Sequence, residues 1–316
     1  MTLLRAFSLP GRFWRGNIHT HSTLSDGALA PQEVLETYRT AGYDFAVLSE
    51  HFVADFDWPL ADTRAHRSSD FTTLIGAELH APQTRVGELW HILAVGLPLG
   101  FAPTKPDEDG PALAQRARDA GAFIGIAHPA WSQLTFEDGI SLDAAHAVEI
   151  YNHGCAVEND RGDGWYLLDQ LANAGHRLTA FASDDAHFRT FERDAFGGWV
   201  HVKAEENTPE ALLTALKNGD MYASQGPRID AVERVGNALQ VRTSPVDTVS
   251  VLGGTSRSVV HQGRDITEAT LDMRDLSNGW LGEAESAWFR LVVIDRAGRR
   301  AWTNPIWHDS LADHAS

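Results

Sequence analysis

The sequence contains one cysteine, Cys155, among 316 residues, so the chain cannot form an internal disulfide. This is typical of a reducing compartment, and the thiol is expected to pack as a small apolar side chain. Apolar runs long enough to span a membrane are also missing, and the N-terminal stretch breaks at Pro10 and Gly11, where a signal peptide would need a longer apolar core. We therefore expect a cytoplasmic protein without a membrane partner.

Positive charge is scarce as well. The chain has 26 Lys and Arg residues against 43 Asp and Glu residues, which gives a formal net charge of -17. A surface of this sign repels phosphate backbones, so nucleic acid is not expected as a bulk partner and a small-molecule substrate is favoured. The hydrophobic fraction of 43% and the charged fraction of 22% are typical of a folded globular protein. Composition leaves the oligomeric state open.

Histidine is abundant, with 15 residues, and two of them open the most informative motif. In the stretch GNIHTHSTLSDG, His19 and His21 are two residues apart, so on a strand both imidazoles point to the same side. Asp26 follows in a polar turn and can direct a carboxylate toward the same place. The pattern suits a divalent metal ion, although a solvated surface strand and turn has the same spacing.

Strands and helices alternate about seven times over the first two thirds of the chain. Helices are predicted over residues 31–41, 111–120, 163–174 and 208–217, and most of the apolar strands between them end in polar residues. This is typical of a parallel (β/α) barrel, whose sites lie at the carboxyl ends of its strands. An open doubly wound sheet is the alternative, but it would gather ligands at one crevice.

The pattern of predicted secondary structure changes near Gln225-Gly226-Pro227. Beyond it, short strands are separated by Gly, Asn, Asp and Ser turns without a convincing helix. We therefore predict two domains, a catalytic barrel over residues 1–226 and a small antiparallel β-sandwich-like accessory domain over residues 227–316.

Nine nitrogen or oxygen ligands occur in these strand-end motifs: His19, His21, Asp26, His51, Glu78, His91, His128, Asp185 and His187. They are too many for one ion and enough for two or three, since zinc takes about four ligands and other first-row ions about six. No thiolate is among them, which favours a catalytic cluster over a structural zinc site. Zn, Mn and Fe all suit mixed imidazole and carboxylate ligands.

Several of these motifs together resemble the PHP (polymerase and histidinol phosphatase) domain over residues 15 to about 225. The matching motifs are IHTHSTLSDG, SEH, GAEL, WHILAVG, IAHP and SDDAH. The resemblance implies a distorted seven-stranded (β/α) barrel with two or three divalent ions. It also implies hydrolysis of a phosphomonoester or phosphodiester by a metal-bound hydroxide, with no protein nucleophile.

The resemblance also implies how the ligands divide among the ions. By analogy, one ion is held by His19, His21, Glu78 and Asp185. Glu78 bridges to a second ion held by His91 and His128, and the third is held by Asp26, His51 and His187. Two positions depart from the family pattern, since Ser49-Glu50-His51 stands where many members have Thr-Asp-His and Asp26 stands where many have histidine.

The segments YASQGPRI and AWTNPIW are similar to the CehA/McbA branch of the family, named for enzymes that hydrolyse an aryl carbamate. A carboxylic ester or aryl carbamate is therefore the alternative substrate, and a metal-binding module without catalysis is the non-enzymatic alternative. A phosphate needs Arg or Lys in the pocket, whereas an aryl ester needs apolar walls. The residues expected to contact substrate are Trp131, Asn152, His153, Arg189 and Arg193.

Three further residues have proposed roles around the ligands. Glu50 and Asp184 are expected to accept a hydrogen bond from the second ring nitrogen of a ligating imidazole, although solvated or helix-capping acids fit as well. His80 shares a strand face with Glu78 and competes with His91 as a ligand, and the family pattern favours His91.

Overall fold

A computed structural model describes residues 2–189, 193–279, 282–283 and 286–311. The fold is mixed α/β, and 17 strands belong to one large sheet. The strands are β1 (Thr2–Leu3), β2 (Arg12–Asn17), β3 (Phe45–Leu48), β4 (His51–Phe52), β5 (Thr72–Ala81), β6 (Trp90–Val95), β7 (Phe123–Ile126), β8 (Ala147–Asn152), β9 (Thr179–Ser183), β10 (Trp199–Ala204), β11 (Met221–Ser224), β12 (Ile229–Val235), β13 (Ala238–Gly253), β14 (Ser258–Asp272), β15 (Asn278–Gly279), β16 (Gly282–Glu283), β17 (Trp288–Ile294), β18 (Arg300–Thr303) and β19 (Ile306–Trp307).

The helices are α1 (Arg5–Ser8), α2 (Pro31–Thr40), α3 (Gly110–Asp119), α4 (Phe136–Ser141), α5 (His153–Asn159), α6 (Trp165–Asn173) and α7 (Pro209–Asn218). The four helices predicted from the sequence are confirmed to within one or two residues at each end. In α7 the Thr208 side chain accepts a hydrogen bond from the Ala211 amide, and Gly219 ends the helix in the left-handed conformation. Among the described residues, no helix has the length and apolarity needed to cross a membrane.

The strand directions differ from those of the predicted parallel barrel. β2, β3 and β5 are parallel, as are β7, β8 and β9, but β6 runs antiparallel to β5 and β7, and β10 runs antiparallel to β2. A short loop over residues 82–89, rather than a helix, joins β5 to β6, so the chain reverses there. The sheet is open, because no ladder joins β9 to β10 among the described strands. The distorted seven-stranded barrel is therefore not confirmed.

β3 illustrates how the sheet is buried on both faces. Phe45 and Val47 pack into a cluster that also contains Leu93 and Phe181, whereas Ala46 and Leu48 face a different cluster built on α2. Alternate residues of a strand point to opposite faces, and all four side chains are buried. The near-continuous apolar run of this strand is explained by that double burial.

The C-terminal strands are antiparallel and continue the same sheet. β11 pairs with β10 on one side and with β18 on the other, so the sheet has no break at residue 226. β1 pairs with β12, and Leu4 packs in the same cluster as the C-terminal strands. The first residues of the chain therefore lie with the C-terminal region, and the division into 1–226 and 227–316 stays a prediction.

Candidate metal centre

Glu78, on β5, lies at the centre of the site with its side chain fully buried. Its Oε1 is 2.7 Å from Nδ1 of His91 and 3.0 Å from Nε2 of His128. Burial alone would raise the pKa of Glu78, but the surrounding imidazoles, His51 and His91 foremost, lower that pKa well below its usual range. The carboxylate is therefore ionised and offers one oxygen to this pair of rings.

The antiparallel direction of β6 explains how His91 reaches this place. His128 follows the end of β7, whereas His91 lies near the start of β6, opposite His80 of β5. Because β6 runs against its neighbours, its beginning meets the carboxyl ends of the parallel strands. Ligands thus converge from strand ends and from one strand start.

The other oxygen of Glu78 faces a second group of side chains. Nε2 of His19 and Nε2 of His21 lie 3.5 and 3.4 Å from Glu78 Oε2, and 3.2 and 2.9 Å from Oδ1 of Asp185. His19 and His21 follow β2, where Thr20 forms a single bridge with Ala186 and keeps this stretch extended. Their common orientation, expected from the spacing, therefore brings both rings to the same two carboxylates.

Asp185 follows β9 and adopts the left-handed backbone conformation, with φ of 53°. This conformation is uncommon for residues other than glycine and is often found at functional sites. Asp185 is 7% exposed, and the imidazoles of His19 and His21 outweigh the effect of burial and hold its pKa well below the usual range. The turn after β9 therefore places a second ionised carboxylate in the site.

A third group lies nearer the surface around Asp26. Oδ1 of Asp26 is 3.4 Å from Nε2 of His51 and 3.3 Å from Nε2 of His187, while its Oδ2 is 2.5 Å from a guanidinium nitrogen of Arg189. Burial disfavours the His187 imidazolium, but Asp26 and Asp185 more than offset this and raise the pKa of His187 to about 9. The third predicted set of ligands is thus brought together, and Arg189 forms an ion pair with its Asp26.

The site contains buried polar atoms without hydrogen-bond partners in the described part of the chain. These atoms are Nε2 of His19, Nδ1 of His21, Oδ1 of Asp26, Oε2 of Glu78 and Nδ1 of His80. Unpartnered buried polar atoms are costly, and imidazole nitrogens grouped with carboxylate oxygens are the ligands that divalent first-row ions take. Three groups of four His, Asp and Glu residues each have ligand atoms within 4.8 Å of one another. The residues present therefore fit divalent ions.

Glu149, in the middle of β8, is a site residue that the sequence analysis missed. Its Oε1 is 3.2 Å from Nδ1 of His19, and its Oε2 accepts hydrogen bonds from the His128 amide and from Asn152 Nδ2. The Ser183 hydroxyl also donates to it. A charged residue inside the apolar run Ala147–Tyr151 was the available signal, because a buried charge requires partners.

Glu50 and Asp184 do not have the contacts expected of them. Glu50 accepts hydrogen bonds from the hydroxyls of Ser22 and Ser25, both at 2.5 Å. Asp184 accepts from the hydroxyl of Tyr38 and from backbone amides of residues 196–198. Burial raises the pKa of Asp184 to about 6, and these donors partly offset that effect. Both acids hold loops around the site, and within the described chain neither contacts a ligand imidazole.

Of the five residues expected to contact substrate, three line a cavity over the ligands and two do not. A cavity of about 510 Å³ opens over the ligands, and Trp131, Arg189 and Arg193 are among its lining residues. The Trp131 ring packs edge-on against His91 and His128, with centroids 5.3 and 5.1 Å away.

Asn152 and His153 do not line this cavity among the described residues. Asn152 is buried, where it donates to Asp185 and caps α5 by accepting from the Cys155 amide. His153 Nδ1 instead lies 2.9 Å from the hydroxyl of Tyr151. Neither side chain is therefore among those described as lining the pocket.

This chain is similar in sequence or in structure to a few known proteins. No family model matches the sequence. The chain is 24% identical over 211 residues to an uncharacterized protein of Methanocaldococcus jannaschii, a match that covers 63% of this chain and 84% of that protein. Among solved structures, it is similar to a two-domain protein of Bacteroides vulgatus containing a predicted PHP-like metal-dependent phosphoesterase, at 15% identity and a TM-score of 0.48, covering 95% of this chain and 98% of that chain.

A second solved structure is an amidohydrolase from Chromobacterium violaceum. It is 16% identical to this chain, with a TM-score of 0.41, and the match covers 54% of this chain and 87% of that one.

Proposed function

We propose that this protein is a metal-dependent phosphoesterase that hydrolyses a small phosphomonoester or phosphodiester. The observation that carries the proposal is the environment of Glu78, whose two oxygens each face at least two imidazole nitrogens in a fully buried setting. A carboxylate shared in this way suits a bridge between two divalent ions, with the Asp26 group available for a third. Zn, Mn and Fe are all compatible with these mixed imidazole and carboxylate ligands.

Divalent ions in this site would lower the pKa of a bound water and polarise the oxygen of the scissile bond. The chain's own residues orient the ligands. Glu149 faces Nδ1 of His19 and would accept a hydrogen bond from it. The other ring nitrogen, Nε2, then carries no proton and faces Glu78 and Asp185, where an ion would bind. Among the described residues, the lining of the cavity includes no serine or threonine, and burial raises the pKa of its cysteine, Cys155, far above the usual range, which favours water over a protein nucleophile.

Positive charge in the pocket supports a phosphate. Arg189 and Arg193 line the same cavity as the three ligand groups, and Arg189 lies against Asp26. Guanidinium groups bind phosphate oxygens through paired, charge-assisted hydrogen bonds. The two arginines would hold the non-bridging oxygens of a substrate while its scissile bond faces Glu78 and Asp185.

A carboxylic ester or aryl carbamate is the second candidate substrate, and a different observation favours it. Trp131 forms an aromatic wall beside His91 and His128, and Val157, 48% exposed, also lines the cavity. Apolar walls of this kind bind an aryl group. We place either activity in the cytoplasm with a small-molecule substrate, and the single cysteine supports a reducing compartment.

The proposal is tested with metal-loaded protein and three chromogenic compounds, namely a nitrophenyl phosphate, a bis-nitrophenyl phosphate and a naphthyl ester or carbamate. We expect turnover of one of the two phosphates. His19→Ala should abolish it, whereas His261→Ala, which alters an exposed histidine on β14, should leave it unchanged. Turnover of the naphthyl compound alone would reject the phosphoesterase and establish the second candidate.

A further inference from the structure

His80 lies beside the ligand cluster and has no role in the function proposed above. It follows Glu78 by two residues on β5, so both side chains are on the same face of the strand. Its Nε2 is 2.9 Å from Nδ1 of His51 and 4.0 Å from Oε2 of Glu78. We propose that His80 is a positioning residue, which holds His51 so that Nε2 of His51 is presented to an ion at Asp26 and His187.

The two ring nitrogens of His51 face opposite groups. Nε2 is 3.4 Å from Oδ1 of Asp26, the same oxygen that lies 3.3 Å from Nε2 of His187. Nδ1 is on the other side of the ring, 2.8 Å from Glu78 Oε2 and 2.9 Å from His80 Nε2. A histidine that gives one nitrogen to an ion donates a hydrogen bond from the other, and this second contact fixes the ring. Nδ1 therefore needs an acceptor.

His80 is better placed than Glu78 to be that acceptor once ions are bound. Glu78 Oε2 also faces Nε2 of His19 and of His21, so its lone pairs are directed at the ion those ligands share. Nε2 of His80 has no such competing group within hydrogen-bond distance among the described residues. The inference rests on the proposed metal dependence of the site, but not on the identity of the substrate.

The ring of His80 is held in place by its surroundings. His80 is 6% exposed and pairs with His91 across the β5–β6 ladder. The two rings meet edge to face, with centroids 4.4 Å apart. The Thr104 hydroxyl donates to the His80 backbone carbonyl. A fixed acceptor restricts the rotation of His51, which is half-buried and begins β4, a strand of only two residues.

The test compares two substitutions of His80. In His80→Gln the amide oxygen reaches about as far as Nε2 and can accept from His51, whereas His80→Leu removes the acceptor. We expect His80→Leu to weaken the binding of one ion by about 10–100-fold, which is the usual cost of losing such a partner, and His80→Gln to stay near the wild-type affinity. Affinities are measured by competition titration with Mn²⁺ and Zn²⁺, and ion content by elemental analysis.

Double substitution identifies which ion is affected. Asp26→Ala removes a ligand of the third group, so adding His80→Leu to it should cause no further loss if His80 acts through His51 at that group. His261→Leu, on the exposed face of β14, is the matched control. If His80→Leu does not fold, His80→Asn replaces it, because the shorter amide does not reach His51.

Three results would overturn the inference. In the first, His80→Leu binds every ion as tightly as the wild type. In the second, His80→Leu and His80→Gln weaken binding equally. His80 would then be an ion ligand itself, since the ligand atoms of His51, Glu78, His80 and His91 lie close enough together to share one ion. In the third, the wild type binds no ion that depends on Asp26. The proposed phosphoesterase fails separately, when fully loaded wild-type protein turns over neither phosphate.

Discussion

Glu149 Oε1 and His19 Nδ1 lie 3.2 Å apart, and both side chains are fully buried, although the two residues are 130 positions apart in the chain. The contact joins the middle of β8 to the segment after β2. The same carboxylate accepts from the backbone of His128, so it supports two of the proposed ligand groups at once. Positioning of the imidazoles therefore depends on one buried acid that binds no ion in the proposed arrangement.

We predict that Glu149→Gln weakens metal affinity by about 10–100-fold, because the amide turns a donor toward at least one of the groups that now donate to the carboxylate. Leaving a buried donor unsatisfied should also lower the free energy of unfolding by about 1–3 kcal/mol. Metal competition titrations and urea unfolding measure the two effects. Glu210→Gln, at an exposed position in α7, is the control. Loss of stability with unchanged metal affinity would contradict the positioning role.

Gly154 allows α5 to approach the turn that carries Asp185. A Cβ at this position would lie 2.8 Å from the Asp185 carbonyl oxygen and 3.1 Å from that of Asp184. We predict that Gly154→Ala destabilises the protein by about 1–3 kcal/mol and weakens ion binding, since the turn must shift. Thermal unfolding with and without metal measures both effects. Gly100→Ala is the matched control, because a Cβ there meets no atom within 4 Å, and an equal effect of the two substitutions would contradict this explanation.

Substitution of Arg189 separates the two candidate substrates. A hydrogen bond to a charged group contributes about 1.5–3 kcal/mol, so Arg189→Met should lower kcat/KM for the phosphate by roughly 10–100-fold. Turnover of a naphthyl ester, which has no phosphate oxygens, should change much less. Arg118→Met, at an exposed arginine of α3, is the control for loss of a positive charge. Equal losses on both substrates would instead point to a general disturbance of Asp26.

His201, on β10, makes stability depend on pH independently of the metal site. Burial, together with the positive charges of Arg15 and Arg228, lowers the pKa of His201 to about 3, and its Nε2 accepts a hydrogen bond from the Trp199 indole. The unfolded chain takes up this proton near pH 6.5, so between pH 6.5 and 3 the unfolded state binds more protons than the folded state. Stability contributed by neutral His201 is therefore present above pH 6.5 and is lost as the pH falls.

From pH 7 to pH 5, this single group should lower the free energy of unfolding by about 2 kcal/mol. His201→Gln keeps an acceptor for Trp199 but does not titrate, so its decline over the same range should be smaller by about that amount. Urea unfolding of metal-free protein at the two pH values measures the difference. Parallel declines in the wild type and the variant would show that the ring already titrates in the folded protein.

The sequence alone was sufficient to predict the features of this protein that depend on residues close together along the chain. Spacing identified His19 and His21 as a pair, apolar runs located the strands, and Pro, Thr and Gly at helix ends located α2 and α7. These are local signals, because a strand alternates its faces every residue and a cap acts within one turn. All nine candidate ligands were named in this way or by their resemblance to a family motif.

Only the tertiary structure decided the relationships between distant residues. The contact of Glu149 with His19 and the pairing of Arg189 with Asp26, 163 residues away, have no local signature. Glu50 shows the same limit, since it stands beside His51 in sequence but bonds to serines of another loop. Which carboxylate meets which imidazole is determined by how the strands are arranged in the sheet, because side chains far apart along the chain meet only after the strands have paired.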